Sequence, residues 1–282
     1  MGLPVIICLD IGGSHITAAA VHRENDIFIP IRKERGEVDS MADRKQILAT
    51  WDRVIRSVVE EQNQNIEGFF VSMPGPFDYE RGICLMDGMH KYQSLLHMDV
   101  KSHFSTTFDV PCENIYFLND AEAFLLGEIH HHNLGAKRVV GLTLGTGLGS
   151  AIYEHRQVRD LNYGSAPFRE GIAEDYISTR GILTYVERLG LQRPENVKAL
   201  LINETDESTK SAAFAFLAAA LAEFLSTYIA PLQPEGIVLG GSITKAHERF
   251  LSAVQDRMSV PLYVASFDEW NLFIGLASTI HL

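Results

Sequence analysis

Residues 4–9 are continuously apolar and the run stops at Asp10. Gly12 and Gly13 follow, and 16–22 resume as a second β-forming segment, which predicts a β-hairpin with a glycine turn. Over 43–63 the apolar positions recur at helical spacing. Residues 66–77 read as a strand ending in a Pro-Gly-Pro turn, 100–108 as a short helix and 113–120 as another strand. A helix is predicted over 121–136, stopping at Gly135. Residues 139–155 repeat the opening pattern of strand, glycine turn and strand. Helices are predicted over Tyr176 to Leu189 and Ser211 to Leu232. Residues 236–244 read as a strand running into a helix through Gly240 and Gly241. The chain closes with a strand over 260–267 and a helix over 271–280. Strands alternate with helices, so the fold class is α/β.

The second glycine turn echoes the first. Residues 9–14 (LDIGGS) align with 142–147 (LTLGTG), each between two strands and each opening one half of the chain. A repeat of this size predicts two related domains facing one another, with a ligand cleft between them.

Composition narrows the class. The 282 residues are 46% apolar and 21% charged, as in a globular protein with full cores. The net charge of -12 repels a nucleic-acid backbone, so no nucleic-acid partner is expected. Cys8, Cys84 and Cys112 stand far apart without a CxxC pattern, which suits a reduced, cytoplasmic setting. No basic segment precedes the first strand, so no signal peptide is expected. The alanine-rich stretch from Ser211 contains Glu223 and ends at Pro231, and reads as a buried helix, with no membrane span.

The glycine turns carry the chemistry. The second lacks the Gly-Lys-Ser/Thr ending of a P-loop. A glycine turn at a strand end instead exposes backbone N–H groups, and concave rows of N–H groups bind anions. Asp10, just before the first turn, suits a hydrated Mg²⁺ that neutralises phosphate. Gly240, Gly241 and Ser242 form a third turn at a predicted helix N-terminus, suited to a nucleotide. Any one of these alone reads as a tight hairpin; three together, two of them repeated, point to phosphate binding. Asp120 follows a strand and opens a helix. It fits a general base for a substrate hydroxyl and fits the helix N-cap equally well.

These residues resemble the ROK sugar kinases, within the actin-like, sugar-kinase and Hsp70 ATPase fold, over nearly the whole chain. DIGGS at 10–14 and TLGTGLGS at 143–150 look like the two phosphate motifs. SMPGP at 72–76 looks like the sugar-side turn and LNDAEAFLLGE at 118–128 like the Asn-Asp motif. PEGIVLGGSIT at 234–244 looks like the adenosine motif, and EDYISTR at 174–180 like the helix with a sugar-binding glutamate. The resemblance implies two duplicated actin-like (ribonuclease H-like) domains, 1–118 with 268–282 and 119–267, around an interdomain cleft. It implies Asp120 as general base and Asn119, Gly75 and Glu174 as sugar ligands. Gly12, Gly13, Ser14, Gly145, Thr146 and Gly147 would line the phosphates, Gly240 and Gly241 would lie against adenosine, and Asp10 would hold Mg²⁺ through water. ATP and Mg²⁺ are the implied cofactors. A homodimer is expected by resemblance only.

The chain also departs from the family. Many ROK kinases carry a Glu-x-Gly-His segment before a cysteine-rich zinc loop. Here Asn162 and Ser165 stand in place of the glutamate and histidine, and the cysteines are gone, so no structural zinc is expected. Asn162 and Ser165 still bond hydroxyls, without a charge-assisted bond. The zinc-free loop and GTGLGSA resemble the polyphosphate-glucokinase branch too, but a polyanionic donor needs a basic track, and the net charge keeps ATP ahead. His130, His131 and His132 close a helix and, being consecutive, cannot all face one ion. His15 either approaches a phosphate or faces solvent. Cys8 reads as core packing. The expected activity is ATP-dependent, glucokinase-like phosphorylation of a hexose or N-acylhexosamine, at O6. The alternatives are a weak or inactive sugar-binding regulator and a polyphosphate-dependent glucokinase. No helix-turn-helix precedes the first strand, and Asp10 and Asp120 are both kept, which a pure sensor does not need.

Overall fold

The structure is a computed structural model that describes residues 4–25, 27–59, 65–89, 91–202 and 206–279. The chain forms two compact units: Met1–His130 with Asp268–Leu282, and His131–Phe267.

In the first unit, β1 (Val5–Ile11), β2 (His15–Glu24) and β3 (Ile27–Glu37) form an antiparallel meander. Next come α1 (Arg44–Val59), β4 (Ile66–Met73), the short pair β5 (Phe77–Asp78) and β6 (Ile83–Cys84), α2 (Val100–Phe108), β7 (Ile115–Asn119) and α3 (Asp120–His131). The sheet order is β3-β2-β1-β4-β7, with β1, β4 and β7 mutually parallel. The continuous apolar run in β1 is explained by burial on both faces. Val5, Ile7, Leu9 and Ile11 enter one cluster with Trp51, Phe69 and Phe104, whereas Ile6 and Cys8 enter another with Phe70, Phe273 and Leu276.

The second unit repeats this path. It contains β8 (Val139–Leu144), β9 (Leu148–Glu154), β10 (Gln157–Asp160), the small pair β11 (Pro167–Phe168) and β12 (Gly171–Ile172), α4 (Thr179–Arg188), α5 (Val197–Ile202), α6 (Glu207–Phe224), β13 (Gly236–Gly240), α7 (Leu251–Gln255) and β14 (Leu262–Val264). The order β10-β9-β8-β13-β14 matches the first sheet strand for strand, including the change from antiparallel to parallel neighbours. The echo between 9–14 and 142–147 therefore marks equivalent hairpins.

The last helix, α8 (Glu269–Ser278), returns to the first unit. It packs on α3 through glycines. A Cβ on Gly275 would meet the Gly127 backbone nitrogen at 2.3 Å, and one on Gly127 would meet the Asn271 carbonyl at 2.7 Å. This backbone contact ties α3 into the first unit, although the sequence had put it at the start of the second domain.

Several boundaries differ from the sequence reading. The strands β3 and β10 were not anticipated. The helix expected over 43–63 covers Arg44–Val59, and 60–63 lie outside the described residues. The helix expected to stop at Gly135 ends at His131, where Asn133 takes the left-handed conformation, φ 59°. α4 starts at Thr179 and not Tyr176, because Ser178 accepts a bond from the Gly181 N–H as its N-cap. The helix expected from Ser211 starts at Glu207 behind the Asp206 cap. It changes to π geometry at Leu225–Ile229 and 3₁₀ geometry at Ala230–Leu232. By length and composition it could cross a membrane, but Phe214, Leu217, Leu221 and Phe224 bury it in the second unit's core. The strand expected over 260–267 covers only Leu262–Val264. Residue 280 of the expected final helix is outside the described residues.

Candidate active site

In the first unit the candidate residues gather at the carboxyl ends of the parallel strands, the edge where open α/β sheets bind ligands. Asp10 pairs in register with Ser72 of β4, and Met73 pairs with Asn119 of β7. Two strand spacings put Asp10 and Asn119 roughly 10 Å apart. The buried Ser72 hydroxyl donates to Asp10 Oδ1 at 3.0 Å. His15 Nε2 lies 3.6 Å from Asp10 Oδ2. The His15 ring folds back over the turn: a Cβ on Gly12 would stand 2.5 Å from its Cε1. His15 is thus half-buried beside Asp10 and does not simply face solvent.

The residues on either side of Asp120 take part in capping α3. Asn119 Oδ1 accepts from the Ala121 N–H at 2.9 Å, and Glu122 Oε2 accepts from the Asn119 N–H at 2.9 Å. This reciprocal pair has the form of a capping box. Asn119 and Glu122 therefore cap α3, and Asp120, the first residue of α3, is exposed. Asn119 Nδ2 also donates to Tyr79 Oη at 3.0 Å, and the Tyr79 hydroxyl donates to the Met73 carbonyl at 3.1 Å. A Cβ on Gly75 would meet Tyr79 Oη at 3.2 Å and Asn119 Nδ2 at 3.9 Å. The structure thus brings Gly75 and Asn119 together and spends most of the Asn119 amide on holding the loop, leaving one amide hydrogen.

The first turn, Gly12-Gly13-Ser14, closes through the Gly12 N–H, which donates to the His15 carbonyl at 2.9 Å. The Gly12 carbonyl accepts from the Tyr92 hydroxyl at 2.6 Å. In the second unit Gly145-Thr146-Gly147 closes through the Gly145 N–H to the Gly147 carbonyl at 3.0 Å, and the Gly145 carbonyl accepts from the Thr179 N–H at 2.8 Å. In each turn the first glycine's N–H is used in closing the hairpin. The N–H groups of Gly13 and Ser14, and of Thr146 and Gly147, take no part in it.

The third turn lies beside the second. β13 runs parallel to β8, with Gly240 opposite Thr143. Gly241 has φ 87°, and a Cβ there would stand 2.3 Å from the Leu144 carbonyl oxygen, so only glycine fits. A Cβ on Gly145 would be 3.8 Å from Ser242 Oγ. The helix expected after this turn is a 3₁₀ segment, Ile243–Arg249, kinked at Ala246. It does not present the N-terminus of a regular α-helix, so the expected dipole contribution falls away and the bare backbone of Gly240 and Gly241 remains.

Glu174 sits in a 3₁₀ turn before α4, with its Oε2 only 2.8 Å from where a Gly147 Cβ would be. Its Oε1 accepts from Arg180 at 3.3 Å, and Arg180 also pairs with Asp175 at 2.7 Å. Glu174 is therefore packed on the second turn. Gly164, 2.3 Å from the Leu148 carbonyl by the same construction and 3.5 Å from Glu174, brings the segment with Asn162 and Ser165 alongside. Asn162 is exposed and left-handed, φ 50°, and the Ser165 hydroxyl donates to the Asn162 carbonyl at 3.0 Å.

His131 and His132 stack edge to face at 4.7 Å, and His132 Nε2 lies 3.2 Å from the Val264 carbonyl oxygen. Among the described residues no group of three or more His, Cys, Asp or Glu side chains is arranged to hold a metal ion. Cys8 is buried in the core, and burial pushes its thiol well above the ordinary range. The sequence reading missed Ser72, Tyr79, Tyr92, Thr179 and Arg180. Ser72, Thr179 and Arg180 fell inside quoted motifs; Tyr79 and Tyr92 belong to none.

No curated protein matches the chain in sequence. Among solved structures, it is similar to the ROK family glucokinase from Streptomyces griseus in complex with glucose and AMPPNP, 19% identical over 98% of each chain, TM-score 0.70. It is similar to the inorganic polyphosphate/ATP-glucomannokinase from Arthrobacter sp. strain KM, 21% identical over 97% of each chain, TM-score 0.69. It is also similar to a ROK family transcriptional regulator, a homolog of the E. coli MLC protein, 16% identical, covering 98% of this chain and 78% of that one, TM-score 0.72. Kinases and a regulator thus share this duplicated fold, so function has to be argued from the site. The ROK family model matches residues 6–167 and 155–274, and with both halves of the duplication inside that match, the chain belongs to the ROK family.

Proposed function

We propose that this protein transfers the γ-phosphoryl group of ATP to a hydroxyl of a hexose or N-acylhexosamine, glucokinase-like at O6, with Asp120 as general base. The observation that carries this reading is the position of Asp120 directly after β7, at the carboxyl edge of the parallel strands β1, β4 and β7. Asp120, the first residue of α3, is an exposed carboxylate at that edge, within reach of a substrate hydroxyl.

In this reading Asp120 accepts the proton of the sugar hydroxyl as its oxygen attacks the γ-phosphorus and ADP leaves. Phosphoryl transfer is mostly positioning and electrostatics, which suits a site built from backbone turns. Gly13, Ser14, Thr146 and Gly147 donate N–H groups to phosphate oxygens. Gly240 and Gly241 offer a side-chain-free surface to the nucleoside. Asp10 fits a hydrated Mg²⁺. It is half-exposed, and the Ser72 hydroxyl holds one of its oxygens without filling the carboxylate's acceptor sites. The ion would supply charge neutralisation at the phosphates. Gly75, Asn119, Glu174, Asn162 and Ser165 are the proposed sugar contacts. Arg180 balances the Glu174 charge beside the second turn.

A second reading, a sugar-binding protein with little turnover, is favoured by Asn162 and Ser165. Both side chains are uncharged and exposed, and Ser165 spends its hydroxyl hydrogen locally. An ADP-release assay over a panel of hexoses and N-acylhexosamines separates the two, with sugar phosphate formation measured instead when polyphosphate is the donor. Turnover on at least one sugar, lowered about 10²–10⁴-fold in Asp120→Asn with ATP binding retained, supports the kinase. Nucleotide binding with no turnover on any sugar supports the second reading.

A further inference from the structure

Tyr92 has no role in the motifs above. Its side chain is fully buried, and its N–H donates to the Ser40 carbonyl at 2.7 Å. Its ring meets Trp51 edge-on at 5.5 Å. From this fixed seat the hydroxyl donates to the Gly12 carbonyl, 80 residues away in the chain. Burial raises the phenol well above its ordinary pKa of 10.0, so it stays a donor throughout the neutral range.

That carbonyl belongs to the same planar unit as the N–H of Gly13. In a trans peptide the two point in opposite directions. The only cis peptide among the described residues is Gly75-Pro76. Holding the Gly12 carbonyl toward Tyr92 therefore turns the Gly13 N–H away from it. The space on that residue is open: a Cβ on Gly13 would meet nothing within 4 Å. A peptide between two glycines resists rotation poorly, because both residues reach either sign of φ. Closure of the turn fixes the Gly12 N–H and leaves the Gly12-Gly13 plane to another restraint. We propose that Tyr92 is a positioning residue for nucleotide phosphate: by pinning the Gly12 carbonyl it aims the Gly13 N–H at a phosphate oxygen. This rests on the nucleotide reading of the site given above.

The test is titration calorimetry with ATP and adenosine on wild type and Tyr92→Phe. The variant keeps the ring and removes the donor. ATP affinity is expected to fall about tenfold, the worth of one bond to a charged acceptor, with adenosine affinity unchanged. A purely structural role lowers the melting temperature and leaves the ratio of the two affinities at its wild-type value, which overturns the proposal. Gly13→Pro removes the N–H directly and is expected to reproduce the loss. Combining Tyr92→Phe with Gly13→Pro should weaken ATP no further than Gly13→Pro alone; full additivity overturns the proposal. Should Tyr92→Phe fail to fold, unchanged ATP affinity in Gly13→Pro overturns it by itself. Wild type that binds ATP no better than adenosine removes the nucleotide reading as well. Wild type that prefers ATP, beside a Tyr92→Phe variant with the same preference, removes only the role of Tyr92.

Discussion

The Gly12 and Gly145 turns join equivalent strands of a duplicated sheet, have three residues each, and close through the N–H of their first glycine. In both, that glycine's carbonyl is pinned by a donor from outside the hairpin. The donors differ. In the first unit it is a side-chain hydroxyl, Tyr92. In the second it is the main-chain N–H of Thr179, at the start of α4. The packing differs as well. Gly13 looks into open space, whereas Gly147 lies under Glu174, and Gly241 beside the second turn lies on the Leu144 backbone. The duplication has kept the length of the turn but not its closing bond, which runs from Gly12 to the His15 carbonyl in one and from Gly145 to the Gly147 carbonyl in the other, and it holds the first carbonyl with unrelated groups. A side-chain pin is open to removal by a conservative substitution; a main-chain pin yields only to proline.

The largest effect tests the packing. Gly241→Ala places a methyl on a carbonyl oxygen at positive φ and should cost roughly 3–5 kcal/mol of unfolding free energy in urea, while Gly13→Ala stays within about 0.5 kcal/mol. Equal costs at the two positions would mean that the turns are backed alike. Thr179→Pro tests the main-chain pin. Position 179 is the first of α4, after the Ser178 cap, where proline fits. ATP affinity should fall about tenfold and stability by roughly 1–3 kcal/mol for the bond lost to the Gly145 carbonyl, and Thr179→Ala should be silent. A Thr179→Pro protein with wild-type affinity would break the parallel with Tyr92. The smallest effect is at alkaline pH. The Tyr92 phenol is raised by burial in the folded state, so its contribution is fully present below the ordinary value of 10.0 and is lost as pH rises above it. Wild type should therefore lose stability more steeply than Tyr92→Phe above pH 10.0, by at most about 1.4 kcal/mol per pH unit. Parallel curves would deny the phenol its buried, neutral state.

Much of the site was legible because its signals are local. The two hairpins, their echo, Asp10 and the Asn119-Asp120 pair were all read from runs of a few residues. The choice between base and cap at Asp120 was not, because both fit the same position; only the structure shows that Asn119 and Glu122 take part in the cap of α3. The strand β3 was hidden by its composition. It is an edge strand, exposed along much of its length, with Pro30 at a register shift against Val21 and a charged second half. Edge strands tolerate proline and charge, and so lose the apolar signature by which inner strands are recognised. Helix ends moved for a similar reason: Ser178 and Asp206 cap with single hydrogen-bonded side chains that periodicity does not register.

By itself the sequence determined the class, the duplication, the glycine turns and the family, since each is written in spacing along a short stretch of chain. Tertiary structure alone decided which groups hold those turns in shape. Tyr92 reaches Gly12 across 80 residues and Thr179 reaches Gly145 from another element. Such contacts depend on how the chain folds back on itself, and hydrogen-bond partners brought together by packing leave no period in the sequence.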